Sequence, residues 1–203
     1  FAKKILPIET YNELKTTYDL AKINAEDVRL IRTSSLSEAN ELIESKNFGT
    51  PLYAGSADLI TQDKLRQDLI KVRDDTEKQM LEDPVKLQID SNPEIAKLFN
   101  DYVNETDNPE IKISNLKIFT NAIIEDQKKL GVPLSKQKIM SNSMAETFVT
   151  QFKQLGFEGN SKARTAMLKS LEFQYGDLSD KVLTQLMTAG LPKGTKVGLV
   201  LGT

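Results

Sequence analysis

The chain contains no cysteine, no histidine and no tryptophan. Without thiols there is no disulfide, no thiolate nucleophile and no zinc site built on sulfur. Without imidazole the Ser-His and Cys-His nucleophile systems are excluded, together with the commonest proton carrier near neutral pH. Proton transfer is left to carboxylates, lysine and tyrosine. A chain without thiols is indifferent to redox conditions, so the compartment stays open. A surplus of one charge is missing too: 27 Lys and Arg stand against 29 Asp and Glu. A dedicated nucleic-acid binder clusters basic residues to displace counterions, and no such motif is found here. No apolar run approaches the ~18–20 residues of a membrane span. The segment LPKGTKVG has the wrong spacing for a phosphate-cradling loop and follows a helical pattern instead of a strand.

What is present is helical punctuation. The 203 residues are 39% hydrophobic but only 6% aromatic, which points to a core of Leu, Ile, Val and Ala in one or two domains. LGV, LGF, YGD and AGL place Gly131, Gly156, Gly176 and Gly190 just past amphipathic runs, where a left-handed C-cap favours a residue without Cβ. Ser114, Ser141, Asn160 and Ser179 open the matching helices, each offering a short side chain to the orphan amides of a first turn. Apolar residues recur at three-and-four spacing: Leu116, Phe119, Ile123 and Leu130; Met144, Phe148, Phe152 and Leu155; Met167, Leu168 and Leu171; Val182, Leu183 and Leu186. Phe119, Phe148, Phe152 and Phe173 are read as core.

The first half is looser. The spacing predicts a helix over Ile8–Ile23, a short second one over AEDVRLIR capped by Asn24, and a third over SEANELIES from Ser37. Gly49, Pro51 and Gly55 then interrupt. The longest helix is expected over Thr61–Glu82, ended by Pro84, with the narrow stripe Leu65, Leu69, Val72, Thr76 and Met80. A narrow stripe on a charged helix suits a single partner, either a neighbouring helix or another subunit, so Leu65, Leu69, Val72 and Met80 are the candidate interaction face. A further helix over Pro93–Val103 begins at Asn92, and DNPEIKI reads as an exposed connection. The expected fold is all-α, a multi-helix array of short capped helices with one longer helix near residues 61–82. Its expected parts are 1–60, 61–113 and a compact four-helix region over 114–203 with an apolar tail. A start at Phe1 and an end on VGLVLGT suggest an internal piece of a longer polypeptide.

Candidate chemistry is thin. IESKNFGTPLYAGSADLI, residues 43–60, looks like the start of a lytic transglycosylase site in which Glu44 would be a general acid of raised pKa. The Gly-Leu-Met-Gln run that should follow is absent, its place being taken by ADLITQDK. A helix-terminal Glu before a loop is the preferred reading. Asp74-Asp75 and Glu82-Asp83 are sequence neighbours that point to different sides of a helix, with Lys71 and Lys78 in reach, so a solvated charged face is expected. Asp101, Asn104, Glu105 and Asp107 lack the central Gly of a calcium loop and read as a polar connection. No catalytic, cofactor or metal residue is assigned.

Two stretches are more distinctive. EKQMLEDPVKLQIDSNPEIAKLF, residues 77–99, carries Asp83-Pro84 and then the Pro93-started helix; FQYGDLSDKVLTQLMTAGLPKGTKVGLVL, residues 173–201, carries Tyr175-Gly176 and Leu191-Pro192. In this order the region of about 60–201 resembles the central helical region of the internal virion proteins of tailed bacteriophages, the DNA ejection or injection proteins. In that family the Asp-Pro run is Ala-rich, whereas here it reads Asp83-Pro84-Val85-Lys86. The resemblance implies a virion component that self-associates or joins portal, core or other ejection proteins. It implies transient contact with the host envelope or periplasm after release, with any lytic activity elsewhere in the parent chain. Two other readings stand beside it: a peptidoglycan lytic transglycosylase module using Glu44, and a bacterial helical adaptor domain.

Overall fold

The computed structural model describes residues 7–46 and 59–192, with backbone alone for 59–62. Among these residues the fold is all-α. Nine helices follow in order: α1 (Ile8–Thr33), α2 (Leu36–Ser45), α3 (Leu59–Glu82), α4 (Pro84–Ser91), α5 (Pro93–Asn104), α6 (Pro109–Lys129), α7 (Asn142–Phe157), α8 (Ser161–Tyr175) and α9 (Ser179–Thr188). A 3-10 turn, Gly176–Leu178, leads into α9.

Several boundaries differ from expectation for identifiable reasons. α1 is one helix of 26 residues, so the 24-residue α3 is not the longest. Asn24 is therefore an interior residue and not a cap; its buried Oδ1 has no hydrogen-bond partner among the described residues. The preceding residues already supply helical carbonyls, which leaves no orphan amide for Asn24 to receive. α2 is capped by Ser35, two residues before Ser37: Glu38 donates its amide to Ser35 Oγ (3.4 Å) while its carboxylate accepts from the Ser35 amide (2.8 Å). That exchange holds the Glu38 carboxyl below its usual value.

Asn-Pro-Glu-Ile occurs twice and starts a helix each time. Asn92 Oδ1 accepts from the amides of Glu94 (3.1 Å) and Ile95 (3.5 Å); Asn108 Oδ1 accepts from Glu110 (3.0 Å) and Ile111 (3.2 Å). Proline fills the first helical position each time, where its missing N–H is no loss. The second copy thus starts α6 and is not an exposed connection, and Ser114 lies inside that helix. Asn108→Ala is expected to destabilise by about 1 kcal/mol, read as a lower urea midpoint in far-UV circular dichroism. Asp83 likewise caps α4, accepting from the Lys86 amide (3.2 Å), so the chain after Pro84 re-enters a helix that sequence reading left out.

Helix ends also shift. Gly156 lies inside α7; the residue with positive φ is Gly159, at 70°. Three ends close by the same backbone turn: Val132 N–H to Gln127 C=O, Asn160 N–H to Leu155 C=O, and Leu191 N–H to Leu186 C=O. Ser179 makes no side-chain cap, because the preceding 3-10 turn feeds α9 directly.

The chain divides into two compact units, 1–78 and 79–203, with the boundary inside α3. The expected division after residue 113 would cut α6 in its second turn. The first unit packs Ile31, Ala39, Ile43 and Leu69, with Val28, Leu42, Ile70 and Val72 alongside. Beside this core lies an ion pair, Asp27 to Lys46 at 2.9 Å, with both side chains almost wholly buried. The second unit has two clusters. One holds Val85, Ile95, Leu116, Phe119 and Ile123; the other holds Ile139, Val149, Phe152, Leu168, Leu171 and Leu186 among others, and Tyr175 packs against both. Phe148 is half-buried, but Phe173 is 73% exposed and not core. It falls out of phase with the inward Leu168, Leu171 and Tyr175, two residues past Leu171 and so roughly 200° around the helix.

Glutamine side chains hold the connection between α6 and α7. Gln127 donates to the Lys138 carbonyl (2.8 Å) and accepts from the Lys138 amide (2.9 Å). Gln185, on α9, accepts from the Ile139 amide (2.6 Å) and donates to the Met140 carbonyl (3.1 Å). Behind them Gln127 also donates to Gln88 Oε1 (3.0 Å), and Gln88 donates to the Ile123 carbonyl (3.0 Å) and Asp126 (2.9 Å). Buried carboxamides so satisfied fix one arrangement of the loop.

Candidate functional site

The candidate interaction face from the sequence is largely taken up within the chain. Leu69 is fully buried among Ile31, Ala39 and Ile43, with Val72 packed against the same cluster. Met80 is buried and Leu65 half-buried. Thr76 is buried, and its hydroxyl donates to the Val72 carbonyl at 2.7 Å. Of the two partners a narrow stripe can serve, a neighbouring helix or another subunit, Leu69 and Val72 meet helices of their own chain.

A different stripe is uncovered. Along α1, Tyr11, Leu14, Tyr18, Ala21, Ala25 and Val28 recur in alternating steps of three and four residues, the spacing of a coiled-coil seam. Tyr11 is 57% exposed and Tyr18 68%; Leu14, Ala21 and Ala25 are exposed as well, and Val28 is where the seam enters the first unit's core. Ile8, exposed at the helix start, extends the apolar surface. From Ile8 to Asp19 only Thr10 and Thr16 are better than exposed, and both are half-buried. On one flank stand Lys15, Lys22 and Arg29 at seven-residue intervals, all exposed, and none makes an ion pair among the described residues. On the other flank stand Thr10, Thr17 and Asn24. Sequence reading missed this seam because a helix break placed at Asn24 splits the repeat in the middle.

The remaining candidates have structural duties. The Glu44 side chain is 67% exposed, with Oε1 3.4 Å from Arg66 Nη2. A glycosidic proton donor works from a shielded pocket, and this carboxylate stands open to solvent beside a guanidinium. The rest of its motif, 47–58, lies outside the described residues. Asp74 pairs with Arg73 at 2.5 Å in place of a lysine. Asp83, besides capping α4, accepts from the Asn142 amide at 2.9 Å. Glu105 accepts from the amides of Asp107 (3.0 Å) and Asn108 (2.9 Å), which closes the polar connection on itself. Among the described residues no group of three or more carboxylates is placed to hold a metal ion, and no helix is long and apolar enough to cross a membrane.

Among the described residues of the second unit, two of the clefts bear on the question of a site. One, of about 640 Å³, is lined by Lys136, Lys138, Lys181, Glu146 and Gln185 among others. Burial, then the neighbouring Lys128, holds the Lys181 ammonium below its usual value. Lys138 is occupied, donating to the Glu82 carbonyl (2.5 Å) and to Asn142 (2.6 Å). Glu146 is the one acid in the lining, so no carboxylate pair faces across this cleft. The other, of about 450 Å³, is lined by Met140, Met144, Met167 and Phe148 with Tyr102 and Tyr175. Burial pushes the Tyr175 phenol far above its usual value, with Tyr102 adding to the effect, so it stays neutral at ordinary pH. In the first cleft the Thr184 and Thr188 hydroxyls donate to the backbone carbonyls of Asp180 and Thr184. No protein-family model, no curated protein and no solved structure matches this chain.

Proposed function

We propose that this chain is a non-enzymatic helical assembly element that works by presenting a helix face to another protein. Its setting, as the resemblance implies, is the ejection apparatus of a tailed bacteriophage. There it would join other virion proteins and help carry the genome across the host envelope. The observation that carries the assembly reading is the uncovered α1 seam. Tyr11, Leu14 and Tyr18 stand exposed on a helix whose later turns are packed in a core. A helix projecting an apolar stripe past its own core leaves that stripe for a partner.

The setting rests on the punctuation shared with the ejection proteins, Asp83-Pro84, Pro93, Tyr175-Gly176 and Leu191-Pro192. Mass spectrometry of purified phage particles tests it. Peptides of this chain are expected in full particles, and in the host envelope fraction after DNA release. Recovery from uninfected cells alone would favour the bacterial adaptor reading. Loss of muropeptide release on Glu44→Gln would favour the transglycosylase reading.

A further inference from the structure

We propose that the α1 seam receives an amphipathic helix of a second protein whose own seam is flanked by acidic residues at seven-residue spacing. This rests on the reading of that face as an interface and names the chemistry of its partner. Helices that pair by knobs-into-holes sense the residues bordering the seam before any other charges. Here one border is Lys15, Lys22 and Arg29, evenly spaced, exposed and without ion pairs among the described residues. The other border, Thr10, Thr17 and Asn24, is neutral. An acidic border on the incoming helix would neutralise three cations at once and set its register.

The same charges argue against the two other occupants of an apolar stripe. In an antiparallel pair of copies, like borders meet, so the basic residues would face their own kind. In a parallel pair they would face the neutral border and gain nothing. A lipid surface is disfavoured by the remainder of the helix. Asp27 is buried in its pair with Lys46, and along the rest of α1 the exposed Glu9, Glu13, Asp19 and Glu26 match Lys15, Lys22, Arg29 and Arg32 four to four. Helices that lie on anionic membranes carry a basic surplus instead. Side-chain size adds a second criterion: the partner should place small residues opposite Tyr11 and Tyr18 and large ones opposite Ala21 and Ala25.

The test uses the full chain and two fluorescent synthetic heptad peptides with the same leucine seam, one bordered by Glu and one by Lys. Binding is read by fluorescence anisotropy at low and high salt. The Glu peptide is expected to bind and to weaken with salt, and the Lys peptide to bind at least roughly tenfold less well. The triple variant Lys15→Glu, Lys22→Glu, Arg29→Glu should reverse that order. All three side chains are exposed, so an unchanged circular dichroism spectrum confirms that the variant folds. Leu14→Asp should abolish both interactions. Equal binding of the two peptides, no binding of either, or an order untouched by the triple variant would overturn the proposal. So would a dimer in sedimentation, or capture by phosphatidylserine vesicles, that Leu14→Asp removes. Presence of the chain in phage particles is a separate measurement, so this proposal and the virion setting can fail independently.

Discussion

Phe119→Ala is expected to destabilise the second unit by about 3–5 kcal/mol. The side chain has no exposed surface, and its ring lies 5.4 Å from that of Phe99 in a tilted arrangement. Val85, Ile95, Leu116 and Ile123 complete the cluster around it. α4, α5 and α6 are each fixed at their start by an Asp or Asn cap followed by proline, so they have little freedom to close over the vacated volume. Urea unfolding followed by far-UV circular dichroism measures the loss. Phe173→Ala is the control: at 73% exposure it should stay within about 0.5 kcal/mol of the parent. Equal losses for the two would mean that Phe119 does not occupy the core described here.

Asp27→Ala is the second substitution of comparable size, expected to cost about 3–5 kcal/mol in the first unit. It leaves the Lys46 ammonium buried without the carboxylate that stands 2.9 Å away. The origin of the loss can be separated from loss of packing. If the broken ion pair is responsible, replacing both partners by apolar residues, Asp27→Leu with Lys46→Met, should recover most of the stability, because such pairs contribute little net beyond a hydrophobic equivalent. A double variant as unstable as the single one would assign the effect to shape. The pair is shielded from solvent, so added salt should change the parent's stability little through this contact.

Much of the helical content was legible because this chain marks its helices with local chemistry. Ser141, Asn160 and Asn92 cap where short polar side chains precede an apolar stripe, and Gly131 and Gly190 stop helices with positive φ. The errors arise where a local signal had a competitor. Asn24 resembles a cap, but uninterrupted periodicity on both sides carries α1 through it. Asn108-Pro109 resembles a loop in the acidic run before it, although the same four residues had already begun a helix at Asn92. Gly156 resembles a stop, yet α7 continues to Phe157 and Arg164 Nη1 lies 3.1 Å from where a Cβ at Gly156 would stand. The α3 stripe shows in the sequence, but a single helix cannot say whether its partner is its own chain or another. The α1 seam became visible only once α1 was continuous and its first turns stood clear of the core.

The clasp around residues 138–140 has a further consequence. A carboxamide carries its donor and its acceptor on opposite arms, so Gln127 and Gln185 each meet one backbone N–H and one backbone C=O of this stretch in one sense only. Glutamate at either place would set two lone-pair oxygens where one must meet a carbonyl. The stretch from Leu130 to Ser141, with no regular element of its own, is thereby keyed like a lock to a single threading, and an insertion there would have to preserve the polarity of both amides.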